Sequence, residues 1–109
     1  MNPSLQALEN LYFLLRSSLT TLQAQGATPE QLDELRAQIV QARTNYWTAL
    51  NKILHDDDPE VRDLTSQLNA AQLSLQASIQ HLNNVAKVLD AITRTVEIGS
   101  QIVAKAIAL

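Results

Sequence analysis

From Val61 to Ala106 the chain places apolar or small residues at alternating steps of three and four. The run is Val61, Leu64, Leu68, Ala71, Leu75, Ser78, Leu82, Val85, Leu89, Ile92, Val96, Gly99, Val103 and Ala106. A heptad seam held without a stutter is the signature of a helix packed lengthwise on other helices. Its charges, among them Arg62, Asp63, Lys87, Asp90, Arg94, Glu97 and Lys105, sit off the seam. The fold class that follows is all-α.

Proline marks where helices begin. Asn2-Pro3, Thr28-Pro29 and Asp58-Pro59 each set a good N-cap residue before a proline at the first helical position. There the missing N–H costs nothing, because that donor has no intrahelical partner anyway. Thr28 with Gln31 also fits a capping box. A first helix is therefore expected over about 3–25, with seam residues Leu5, Leu8, Tyr12, Leu15, Leu19 and Leu22 and with Gly26 as its C′ residue. A second is expected over about 29–55, its seam formed by Leu32, Leu35, Ile39, Ala42, Tyr46, Ala49 and Ile53. Short connections make neighbouring helices antiparallel.

The third helix, read as continuous over 59–109, would be roughly 75 Å long. The expected architecture is thus a three-helix antiparallel bundle with a long third helix, in a single domain over 1–109. The alternative is a four-helix up-down bundle with a break near Asn83-Asn84. Continuity is preferred on two grounds. Asn84-Val85-Ala86-Lys87 has no capping box, and a lysine in a first turn opposes the helix dipole. The heptad register also crosses the point unchanged.

Beyond Ile79 the stripe widens, because residues beside the seam become apolar too. A stripe of that width wants neighbours on more than one side. Val85, Val88, Leu89, Ile92, Val96, Gly99, Ile102, Val103 and Ile107 are accordingly the first candidate partner interface. A second apolar face on the second helix, Val40, Trp47, Leu50 and Leu54, is another candidate, and Phe13 and Leu14 form a matching excess on the first. Between Leu64 and Ala86 there is no charged residue but many Gln, Ser and Asn, a composition that limits desolvation when helices associate.

Composition excludes several functions. A net charge of −3 gives no basic footprint for nucleic acid. Without cysteine there is no disulfide framework or thiolate metal site. The N-terminal Met-Asn-Pro-Ser-Leu-Gln carries neither the basic segment nor the long apolar run of a signal peptide, so the expected location is cytoplasmic, with leaderless secretion as the alternative. Lys87, Arg94 and Lys105 on the last segment are balanced by Asp90 and Glu97, whereas interfacial membrane helices carry a basic excess. Lipid contact is the lesser expectation.

The catalytic inventory is thin. His55 precedes Asp56, Asp57 and Asp58, a grouping that could serve acid–base chemistry or a metal. A helix end followed by a capped helix start accounts for it more simply. There is no nucleophile elbow and no phosphate-binding glycine loop. Tyr46-Trp47 could stack a ligand, but Tyr46 lies on the seam and reads as core. No catalytic, metal or cofactor site is expected. The expected function is a non-enzymatic protein-protein interaction or assembly module acting through coiled-coil-like helix association, as a homodimer or larger oligomer. The alternatives are a lipid-binding or pore-forming protein and, last, a metal-binding or enzymatic bundle.

Overall fold

The computed structural model describes residues 2–52 and 54–108, with backbone alone for 107–108. Four helices follow one another and pack together: α1 (Pro3–Ala24), α2 (Pro29–Leu50), α3 (Pro59–Gln80) and α4 (Val85–Ala108). The fold is all-α. The continuous third helix is corrected to two helices, α3 and α4, separated at His81–Asn84.

The local chemistry explains each end. Thr28 forms both arms of its capping box, accepting from Gln31 N–H at 3.1 Å while Thr28 N–H donates to Gln31 Oε1 at 2.9 Å. Asp58 Oδ1 accepts from the N–H groups of Glu60 and Val61 at 2.9 and 3.1 Å. Asn2 makes no such bond with its own side chain. Asp56, from the α2–α3 connection, supplies it instead, accepting from Ser4 N–H at 3.0 Å. Gly26 has φ +86°, and the bonds Ala27 N–H to Leu22 C=O and Gly26 N–H to Gln23 C=O complete a Schellman turn that only glycine closes without strain.

The fourth start lacks a proline and a capping box, yet Asn84 Oδ1 accepts from Lys87 N–H at 3.1 Å. One good N-cap bond outweighs an exposed lysine in the first turn, whose dipole penalty is only a few tenths of a kcal/mol. The apolar spacing survives the turn for a packing reason. Leu82 and Val85 tuck against the core from within it, so the seam continues while the chain reverses.

The other displaced boundary is the end of α2, which stops at Leu50 instead of His55. In cross-section the helices run α1–α2–α4–α3 around the bundle, and α2 and α3 occupy opposite corners without touching. The chain must cross that diagonal between Asn51 and Asp58. Leu54 therefore leaves helical geometry and enters the core, and His55 N–H donates to the Ala106 carbonyl at 3.3 Å. Ile53 lies outside the described residues. These contacts gather the N-termini of α1 and α3 with the C-termini of α2 and α4 at one end, so α1/α3 and α2/α4 are parallel neighbours. Polar ties cross both parallel interfaces. Gln72 Nε2 donates to the Ala7 carbonyl at 2.9 Å, and Gln41–Asn45–Ser100 form a chain of bonds at 3.0 Å.

The core is built from Leu8, Leu11, Leu15 and Leu22 of α1, Leu35 of α2, Val61, Leu68 and Leu75 of α3, and Ile92 and Ile102 of α4. Leu11 was not on the expected seam, whereas Leu5, Tyr12 and Leu19 were and are only half-buried. A helix in this bundle touches two or more neighbours, so its buried face is centred between seams and not on one.

Gly99 is where α4 crosses closest to α1. A Cβ there would lie 3.2 Å from Leu8 Cδ2 and 3.7 Å from Leu11 Cδ2. Val has the better helix propensity by a few tenths of a kcal/mol, but its branched side chain would be driven into fully buried leucines. Gly99→Val is expected to destabilise the protein by about 1–3 kcal/mol in urea unfolding. An unchanged or increased stability would mean that α4 does not lie against Leu8 and Leu11.

Candidate functional site

The first candidate interface is internal to the fold. Val88, Leu89, Ile92, Val96, Gly99 and Ile102 are buried, and Val85 and Val103 are half-buried against them. The side chain of Ile107 lies outside the described residues. The stripe is wide because α4 packs on α3, on α2 and, across the short diagonal, on α1. In the folded bundle the buried ones close the core from within the chain, while Val85 and Val103 keep part of their surface open.

The second candidate divides. Leu54 is buried at 8% exposure, whereas Val40, Trp47 and Leu50 remain 49%, 53% and 48% exposed. The division comes from the early end of α2: the first three follow its helical face outward, and Leu54 does not. About half of each of these three side chains is left open to solvent.

Around Trp47 the structure assembles what the sequence shows only as two dipeptides. The chain has four aromatic residues, Tyr12, Phe13, Tyr46 and Trp47, and all lie on the α1/α2 hairpin outside the buried core. Antiparallel packing stacks Tyr12 on Tyr46, with ring centres 6.2 Å apart, and Phe13 continues from Tyr12 at 5.3 Å. Arg43 places its guanidinium 5.0 Å from the Trp47 ring centre, and Arg16 does the same 5.8 Å from Tyr12. Both arginines sit one turn from their ring, on the side nearer Gly26. The ion pairs among the described residues are Arg36–Asp33 and Lys105–Glu60, so neither stacked arginine has a carboxylate partner. Adjacent aromatic pairs on two antiparallel helices were the available signal, and the seam reading of Tyr12 and Tyr46 obscured it.

A second opening lies between α1 and α3, a cleft of about 560 Å³. Phe13 and Leu14 face Leu73 across it, with Asn10, Ser17, Asn69 and Gln76 around them and no charged residue. Leu73 is 71% exposed. Gln72, at its floor, is engaged with Ala7, so this opening has an apolar rim over a satisfied amide.

Two members of the acidic cluster serve helix starts. Asp56 and Asp58 cap α1 and α3 respectively, and His55 bonds through its backbone. Among the described residues no three His, Cys, Asp or Glu side chains converge as a metal site, and no helix is long and apolar enough to cross a membrane. No protein-family model, curated protein or solved structure matches the chain.

Glu9 is the one carboxylate in the aromatic row. Tyr46 Oη donates to Glu9 Oε2 at 2.7 Å. That hydrogen bond, with burial and the carboxylate's charge, raises the Tyr46 pKa above its ordinary 10.0. The folded chain therefore keeps this proton to higher pH than the unfolded chain does. The stabilisation is fully present below 10.0 and is lost as pH rises through the folded value. In a Tyr12→Phe background, where Tyr46 is the sole phenol, phenolate absorbance is expected to titrate above 10.0 and to move down on Glu9→Gln. A midpoint that ignores Glu9→Gln would remove this bond as the cause.

Proposed function

We propose that the chain is a non-enzymatic protein-interaction module that presents the outer face of its α1/α2 hairpin to a protein partner. The observation that carries this reading is the half-exposed row Val40–Trp47–Leu50, flanked by Arg43 and by the Tyr12–Tyr46 stack. Tryptophan, tyrosine and arginine dominate the energetics of protein interfaces, because each covers a large area with few rotors or with a rigid planar group. Here Phe13 and Trp47 are half-exposed, and Tyr12 and Tyr46 lie half-buried at the edge of the core. Four of the carboxylates have structural partners: Asp56 and Asp58 at helix starts, Glu9 on Tyr46 and Glu60 on Lys105.

The dimer that a continuous third helix would require has no overhanging segment left to cover. The lipid-binding alternative would need α4 to leave the core, exposing Ile92, Val96 and Ile102 together, each costing roughly 1.5–3 kcal/mol in lost burial. A cytoplasmic location goes with the proposed module, and no cofactor enters it.

A photoreactive phenylalanine analogue tests this reading in cells that produce the protein. Placed at Thr44, beside the row but not in it, it is expected to yield a few discrete adducts; at Arg94 on exposed α4 it should yield none. Val40→Ser with Trp47→Ser should abolish the adducts at Thr44. Equal labelling at both positions, or no adduct at Thr44, would contradict an interaction surface there.

A further inference from the structure

We infer that the α1/α2 face docks an amphipathic helix that carries acidic side chains beside its apolar anchors, an inference that rests on the module reading above. The apolar row sets the shape. Val40, Trp47 and Leu50 span eleven residues of one helix, roughly 15 Å along its axis, which is two to three turns of a partner laid beside it. A row this short and this narrow suits the i, i+3/i+4, i+7 anchors of a single helix.

Charge selects the partner's chemistry. In a chain of net charge −3, Arg16 and Arg43 stand on the Gly26 side of the aromatic row, one on each helix, and no carboxylate of the described residues pairs with either. Each guanidinium is held over a ring by the attraction between its cation and the π face. With no carboxylate paired to it, each guanidinium keeps N–H donors free, and its planar fork binds a carboxylate through two parallel hydrogen bonds. The arginines are therefore pre-oriented for acidic groups arriving one turn away from where Trp47 meets an apolar anchor. Their spacing along the row, a helical turn on the Gly26 side of the rings, fixes which way the carboxylates must lie relative to the anchors.

A second copy of the chain suits the face poorly. A two-fold contact centred between Val40 and Trp47 would set each Arg43 against its own counterpart, and like charges facing each other across an interface weaken it. An anionic membrane surface offers negative charge as well, but the exposed apolar row is only one side chain wide, and the chain's own net charge opposes approach.

Trp47 is the chain's one tryptophan, so its emission reports directly on the site. The probe is a synthetic capped helical peptide with Leu along one face and Glu flanking it, compared with its counterpart in which every Glu is Lys. The Glu peptide is expected to shift Trp47 emission to the blue and to bind at least about tenfold tighter than the Lys peptide, with the preference shrinking at high salt. Arg16→Glu with Arg43→Glu, both surface changes that circular dichroism can show to be folded, should reverse the preference. Equal binding of the two peptides, or no response of Trp47 to either, would overturn the inference. So would a blue shift with anionic vesicles and none with the Glu peptide, which would make the face a lipid site. If the Thr44 cross-links form while the Glu peptide fails, the interaction module stands and its acidic partner falls; if both fail, so does the module.

Discussion

In this four-cornered bundle α2 and α3 do not meet, and α4 closes the side they leave open over the leucines of α1 and α3. Val88, Leu89, Ile92, Val96 and Ile102 meet that inner surface on a single helix, each contributing roughly 1.5–3 kcal/mol by leaving water. Against this, the reversal at His81–Asn84 needs only one N-cap bond from Asn84 and the tucked side chains of Leu82 and Val85. The remaining structure depends on that closure. Without α4, Leu8 and Leu11 would lose the backbone of Gly99 as their neighbour, and Asn45 would lose Ser100.

The way α2 contributes to the core explains why a surface is left over. Its buried side chains are Leu35, Ala42, Asn45 and Ala49, so for most of its length α2 approaches the core through small groups. Its bulky residues consequently lie to the side or outward: Ile39 and Tyr46 half-buried, Val40, Trp47 and Leu50 half-exposed. An ordinary amphipathic helix would put them inward. The inversion is what links packing to the proposed interaction, since burial within the chain accounts for the first set and leaves the second unexplained. Buried amides add uniqueness. Gln72 on Ala7 and Asn45 on Ser100 each fix the register of a parallel pair, where a slipped alignment would strand a buried polar group at a cost of about 1–3 kcal/mol.

Much of this was legible from residues whose physics is local. Asn2-Pro3, Thr28-Pro29 and Asp58-Pro59 announce α1, α2 and α3, and Gly26 announces a left-handed turn. What escaped depends on neighbours. Asn84 caps a helix without a proline or glutamate to advertise it, and an apolar spacing that continues through a turn looks the same in sequence as one that continues through a helix. The end of α2 is set by the diagonal that the chain must cross, which no residue near Asn51 encodes. The width of the α4 stripe was read correctly as a need for several neighbours, but periodicity does not say whether those belong to this chain or another. The aromatic row depends likewise on knowing that Tyr12 and Tyr46 face each other, a consequence of the α1–α2 pairing.

The central claim is that this apolar stripe is consumed by the chain's own core, which is why the proposed working surface is placed on α1 and α2. Small-angle X-ray scattering with light scattering on the same sizing-column peak tests it most directly. The account predicts a 12.0 kDa monomer whose size matches a Cα radius of gyration of 13.8 Å and a longest extent of 42 Å. A doubled mass, or a rod with a dimension approaching roughly 75 Å, would contradict it, because that is the length of an α3–α4 segment that never folds back.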